Sequence, residues 1–210
     1  MIILGALTYV HGASINNVIP DLSLKEAPET VTGPSDSFTW KYESQTVANS
    51  YDPDEWDMAD TGNSYVCNTG MKQSPINIDT ATVKTPTTDP GAIWSTLFDK
   101  DIDGYLANTG RVLRYMLFGY ARPTISGGPL AAKKVYALSH IDFHFGSDAT
   151  KGSEHTLNTK QFPMEMEIVF YDGSFLSSAD AIASSNADAL VALSHFFTVK
   201  YLNRKIEMFN

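Results

Sequence analysis

The sequence predicts a mainly β, α+β domain built on a central sheet. Three observations carry that reading. Residues of opposite character alternate along Lys134–Phe145 and Phe162–Phe170, the period of a strand with two different faces. Apolar runs over Val112–Phe118 and Ala189–Tyr201 read as further strands, and Gly127-Gly128-Pro129 and Asp172-Gly173 mark turns. Only Ser177–Asn186 spaces Ala, Ile and Asp in a way that suits a short helix.

The composition fits a packed domain. The chain has 210 residues, 43% hydrophobic and 11% aromatic, which excludes a disordered polymer. No run approaches the roughly 18 apolar residues of a transmembrane helix. The net charge of −9 argues against a nucleic-acid binder, which needs a basic face. A single Cys excludes an internal disulfide and any Cys-rich zinc module.

Along the chain, the apolar run Met1–Val10 followed by Gly12, Ala13 and Ser14 reads as a secretory signal peptide, residues 1–13, cleaved after Gly12 or Ala13. It lacks basic residues after Met1, so an ordinary buried strand is the competing reading. Residues 14–37 carry Pro20, Pro28, Gly33 and Pro34 among polar residues and read as an acidic linker or arm. The charge sits here: residues 1–70 hold two basic against ten acidic side chains, and residues 71–210 hold 13 against 14. A solubilising arm explains this better than a calcium surface, because the acids lack the ligand spacing of a calcium loop. The domain itself is expected over 38–210.

In the Lys134–Phe145 strand, strict alternation places Tyr136, Leu138, His140, Asp142 and His144 on one face. It places Val135, Ala137, Ile141, Phe143 and Phe145 on the other. In Phe162–Phe170, Glu165 and Glu167 share a face opposite Met164, Met166, Ile168 and Phe170. Were these strands neighbours, Asp142, His144, Glu165 and Glu167 would converge on one surface. Zinc accepts His nitrogen and carboxylate oxygen, so a metal site is one reading. A buried hydrogen-bond network, or a strand face open to water, is the other.

These residues also carry a resemblance. From about Trp40 to about Val199 the chain resembles an alpha-class carbonic anhydrase domain. The matching pieces are Trp40-Lys-Tyr42, Trp56, Gln73-Ser-Pro-Ile-Asn-Ile78, Asn108-Thr-Gly110, Ser126-Gly-Gly-Pro-Leu130, Asp142-Phe-His-Phe-Gly146, Gly152-Ser-Glu-His-Thr156 and Phe162-Pro-x-Glu165, in the family's order. The resemblance implies a ten-stranded, twisted, mostly antiparallel sheet of that type with short helices. It also implies a zinc site in a conical cleft.

The departures shape the functional expectation. The family holds zinc with three His, and the three places here are Asp142, His144 and Glu167. The family's proton-shuttle His falls at Arg111, whose pKa above 12 prevents proton exchange near neutrality. The Gln beside the family's cleft falls at His140, and His155 and Glu165 match a buried pair that braces the third ligand. Relative to the family, roughly the last third is expected to be missing beyond Asn210. That third includes a Thr partner for Glu154 and a disulfide partner for Cys67. The expected consequence is an exposed apolar edge at Val191, Leu193, Phe196 and Val199. Trp40, Trp56 and Trp94 are expected to pack in the core, and His11 and His195 to pack locally.

Two carboxylates in the ligand set would cancel the metal charge that acidifies zinc-bound water. Zinc binding at Asp142, His144 and Glu167 is therefore expected to be weak or absent, and the protein resembles the inactive carbonic-anhydrase-related members. The expected function is that of a secreted binding or matrix protein with an unidentified partner. The alternatives are a zinc-dependent lyase hydrating carbon dioxide to bicarbonate, with vestigial Glu154, and a non-functional product.

Overall fold

In the computed structural model the described residues are 2–4, 22–24, 74–98, 100–119, 121–184 and 186–199. The expectations placed on Trp40, Trp56, Cys67, Gln73, His11 and Tyr201, and on most of the 1–13 and 14–37 segments, lie outside them.

The strands are β1 (Ile2–Leu4), β2 (Leu22–Leu24), β3 (Asn77–Ile78), β4 (Ile93–Thr96), β5 (Ile102–Asn108), β6 (Leu113–Leu117), β7 (Thr124–Gly127), β8 (Val135–Phe145), β9 (Thr156–Leu157), β10 (Met164–Asp172) and β11 (Leu190–Phe197). Nine of them form one sheet in the order β1-β11-β10-β8-β6-β5-β2, with β7 also paired to β8 and β4 to β7; β3 and β9 pair separately. The large sheet is antiparallel except where β1 joins β11 and β2 joins β5. This is the central-sheet α+β fold that the strand pattern predicts, mainly antiparallel as the resemblance implies, with nine strands in the large sheet among the described residues.

One helix, α1 (Ser178–Ala183), falls inside the predicted Ser177–Asn186 stretch. Ser177 caps it, its hydroxyl accepting from the Asp180 N–H, which satisfies one of the first-turn donors.

The core lies on one face of the sheet. Tyr136, Leu138 and Ile141 of β8, Met166, Ile168 and Phe170 of β10, Tyr115 of β6 and Val191 of β11 meet there, all nearly or fully buried. Gly104 of β5 permits this packing, because a Cβ there would stand 2.5 Å from the Tyr115 ring.

The β8 pattern corrects the strict alternation. Val169 pairs with His140, but Phe170 pairs with Leu138, so Ser139 is an extra residue in the ladder. A bulge of this kind shifts the alternation by one. Tyr136 and Leu138 therefore face the core together with Ile141 and Phe143, not with His140, Asp142 and His144. Arg122 pins the bulge: its Nη1 donates to the carbonyls of Leu138 at 3.0 Å and Ser139 at 3.2 Å.

Two further corrections concern packing. Trp94 is 71% exposed, its ring lying over Gly127 rather than in the core. The β11 edge is less open than expected. Val191 is buried, Leu193 packs against the core and Phe196 stacks on Phe162 at 4.4 Å, while β1 pairs with Val191–Leu193. Val199 lies outside the strand and is exposed. His195 meets Phe197 edge-on at 4.9 Å.

Candidate functional site

The polar cluster is built where β8 and β10 run side by side. Glu167 stands opposite Asp142 and Glu165 opposite His144, so the ladder itself gathers the four polar residues. The loop before β9 supplies Glu154 and His155. It lies tight against the start of β10 because Gly152 has no side chain; a Cβ there would fall 2.1 Å from the Pro163 carbonyl oxygen.

Glu165 and His155 form the buried centre. Both are fully buried, and His155 Nδ1–H donates to Glu165 Oε1 at 2.6 Å. The other Glu165 oxygen accepts the backbone N–H groups of Glu154 at 2.8 Å and His155 at 2.9 Å, and the Ser194 hydroxyl of β11 donates to Oε1. Burial alone pushes the Glu165 carboxyl up, but the hydrogen bonds from His155 and Ser194 and the His155 charge hold it below the ordinary carboxylate value. Burial likewise disfavours the charged His155 ring, and Glu165 overcomes it and raises the ring's pKa.

Asp142 is committed elsewhere. Arg114 of β6 stands directly opposite it and grips both carboxylate oxygens, Nε to Oδ1 at 2.6 Å and Nη2 to Oδ2 at 2.8 Å. His140 Nε2 stands 3.6 Å from Oδ2, while its Nδ1 meets the Ser139 hydroxyl at 2.9 Å. Burial pushes the Asp142 carboxyl up, yet the hydrogen bonds and charges of Arg114 and His140 hold it at about 2. A fork–fork pair of this kind is strong and directional.

His144 lies between two carboxylates. Its Nδ1 is 3.2 Å from Glu154 Oε1 and its Nε2 is 3.7 Å from Glu167 Oε2. Burial opposes the charged ring, and Glu154 and Glu167 outweigh it, raising the pKa to about 10. Glu154, expected to lack the family's Thr partner, meets His144 with its carboxylate. The Nε2 atoms of His144 and His155 are buried and lack a hydrogen-bond partner among the described residues. Beside His144 a cleft of about 500 Å³ is lined by Asn108, Arg111, Leu113, Phe143, His144 and Glu154. Arg111, at the place of the shuttle, stands on its wall.

Two groups of donors could coordinate a metal: His144 with Glu154 and Glu167, and His155 with Glu165 and Glu167. Neither is a three-imidazole set. Asp142 belongs to neither, so the predicted trio of Asp142, His144 and Glu167 is corrected. Arg114 takes a lone pair on each Asp142 oxygen and neutralises the carboxylate's charge, which weakens it as a ligand. The three-His zinc of the resembling family does not fit these residues, and this donor chemistry accords with weak or absent zinc binding.

Fold and site together define a mainly antiparallel sheet protein with a His and carboxylate cluster where a three-imidazole metal site was the expectation. The family model of eukaryotic-type carbonic anhydrases matches residues 51–209, and the chain belongs to that family. It is 30% identical over 128 residues to the human "Carbonic anhydrase-related protein", covering 59% of this chain and 42% of that protein. It is 29% identical over 143 residues to "Carbonic anhydrase 3" of Sus scrofa, covering 67% and 51%. It is 30% identical over 147 residues to "Putative carbonic anhydrase-like protein 2" of Caenorhabditis elegans, covering 68% and 42%. The chain thus spans about half, or less, of the length of these relatives.

Sequence reasoning missed Arg114, Arg122 and Ser194. Arg114 had a signal: a lone cation inside the apolar run Val112–Phe118. Arg122 and Ser194 had none, since their partners come from strands distant in sequence.

Proposed function

We propose that this protein is a carbonic-anhydrase-like protein that is catalytically inactive or very weak, and that it serves as a secreted binding or matrix protein. The observation that carries the first part is the Arg114–Asp142 fork, which takes the first ligand place out of service. Glu167 at the third place and Arg111 at the shuttle place act in the same direction. Even with an ion bound, two carboxylates would leave little net charge to acidify a bound water.

Secretion rests on the apolar stretch Met1–Val10 and the small residues after it. Ile2–Leu4 pair with Val191–Leu193 as a strand of the sheet, which favours the competing reading of this stretch; were it cleaved after Gly12 or Ala13, the β11 edge would open to an extended segment of a partner.

The test is a stopped-flow indicator assay of carbon dioxide hydration with added zinc. The expected result is no rate above the zinc-and-buffer control; a robust rate abolished by a sulfonamide overturns the inactive reading in favour of the lyase. Mass spectrometry of the N-terminus of protein recovered from the medium tests secretion, which predicts a chain beginning at Ala13 or Ser14.

A further inference from the structure

We propose that a second cleft, at the end of β8 opposite His144, binds a sulfated saccharide, with Arg122 and Lys133 holding a sulfate group and Trp94 stacking on a sugar ring. This deepens the proposed function and rests on its binding part alone, not on secretion or on lost catalysis.

The cleft has a volume of about 620 Å³ and is lined by Arg122, Thr124, Lys133, Lys134, Asp172 and Ser174. Thr124 of β7 pairs with Ala137 of β8, which also lines it. The adjacent pair, Ile125 and Tyr136, is buried in the core, so Thr124 and Ala137 stand on the other face of the sheet.

Three cations meet one acid in this cleft. Lys134 Nζ binds the buried Asp172 at 2.8 Å, so those two charges cancel. Arg122 and Lys133 remain. Arg122 is held in place by Nη1, which donates to the Leu138 and Ser139 carbonyls. Among the described residues its Nε and Nη2 donate to nothing. Nε and Nη2 form the edge with which Arg114 grips both oxygens of Asp142, an edge shaped for an oxyanion. Lys133 is exposed and holds a left-handed backbone at a φ of 66°, which Lys seldom adopts. Such conformations persist where the surrounding structure imposes them, and they gather at binding sites.

The ladder beside the cleft points to a sugar as the carrier of the anion. Trp94 of β4 pairs with Ser126 of β7, and Ser126 with Val135 of β8, so Trp94 stands on the same face as Thr124 and Ala137. Trp94 is exposed and is backed by Gly127, where a Cβ would stand 2.9 Å from ring atom Cδ1. A supported, open indole takes the C–H face of a sugar ring, while the cations take its sulfate. A free anion would engage only the cations. The chain's net charge of −9 repels a polyanion from the molecule as a whole, so such a ligand is held only where cations gather.

The experiment is calorimetric titration of the intact chain with a fully sulfated heparin tetrasaccharide, with thermal melts confirming that each variant is folded. Saturable binding is expected. It should weaken about tenfold in Lys133→Asn, the size of one charged hydrogen bond, in a residue that tolerates the left-handed backbone. It should weaken about fivefold in Trp94→Ala and stay unchanged in Lys84→Gln, an exposed lysine outside the cleft. The desulfated tetrasaccharide should not bind. No saturable binding by the folded wild-type chain overturns the proposal, and so does equal binding by wild type and Lys133→Asn. Inorganic sulfate or a phosphoserine peptide binding as tightly as the tetrasaccharide also overturns it. Carbon dioxide hydration overturns the inactive reading, and absence from the medium overturns secretion; each leaves the cleft standing, so the failures are separable.

Discussion

The two halves of β8 follow the same backbone line and do opposite work. Before Ser139, Tyr136 and Leu138 enter the core, and Lys134, just ahead of the strand, pairs with Asp172 at 2.8 Å. After it, Ile141 and Phe143 take over the core face, and His140, Asp142 and His144 turn to the other, where His144 lines the cleft. The first half is an ordinary structural strand. The second carries every altered ligand place that β8 contributes. What separates them is one unpaired residue, and its lesson is that a bulge can create a functional face without changing which residue types lie in the strand.

Removing that residue should break the comparison outright. Deletion of Ser139 either turns Tyr136 and Leu138 out of the core or turns Ile141 out and the carboxylates in. Each large apolar side chain lost forfeits about 1.5–3 kcal/mol, and buried unpaired carboxylates add more, against a net stability of about 5–15 kcal/mol. No cooperative melt is expected by circular dichroism. A native-like transition would show that something other than the bulge sets the two faces.

The site half depends on its buried centre. Glu165→Ala strips His155, Ser194 and two backbone N–H groups of their acceptor in a fully buried setting. A loss of about 3–5 kcal/mol is expected from urea unfolding, the range for breaking a buried pair from one side. A loss below about 1 kcal/mol, the size of a surface pair, would mean the network is not integral to the fold.

Arg122→Ala sharpens the picture at the boundary itself. It leaves the Leu138 and Ser139 carbonyls without their donor, at a cost of about 1.5–3 kcal/mol for charged hydrogen bonds. Hydrogen exchange should quicken around Ser139 and His140 first, ahead of the outer ends of β8.

The smallest effect belongs to the structural half. Lys134 is partly exposed, so Lys134→Met should cost only about 0.5–1 kcal/mol. Burial pushes the Asp172 carboxyl up, and the hydrogen bonds from Lys134 and Ser174 hold it below its ordinary value near 3.8. A depressed carboxylate stabilises the fold above the unfolded value and loses that contribution as pH falls through the folded one. The difference between wild type and Lys134→Met should therefore be full at neutral pH and shrink below about pH 4, as pH-dependent urea unfolding would register.

Much of the molecule was legible in the residues alone. Period-two patterning located β8 and β10, and apolar runs located β6 and β11, to within a few residues. The strong short motifs located the family, and the residues at the ligand places showed that three imidazoles are not there. The Asp-x-His and Glu-x-Glu pairs even suggested the convergence that the β8–β10 register produces.

What the tertiary structure decided was where each polar group spends its bonds. Asp142 reads as a degenerate ligand until Arg114 is seen across the ladder, 28 residues away in sequence. Glu154 reads only as lacking the family's Thr until the loop before β9 brings it to His144. The bulge shows in the sequence only as a change of phase, large apolar residues at Tyr136 and Leu138 before it and at Ile141 and Phe143 after it, and with Ser139 and His140 both polar alternation cannot say which is the extra one. Local pattern records the period of a strand, but register and ion pairing arise between segments distant in the chain, and only folding brings those segments into contact.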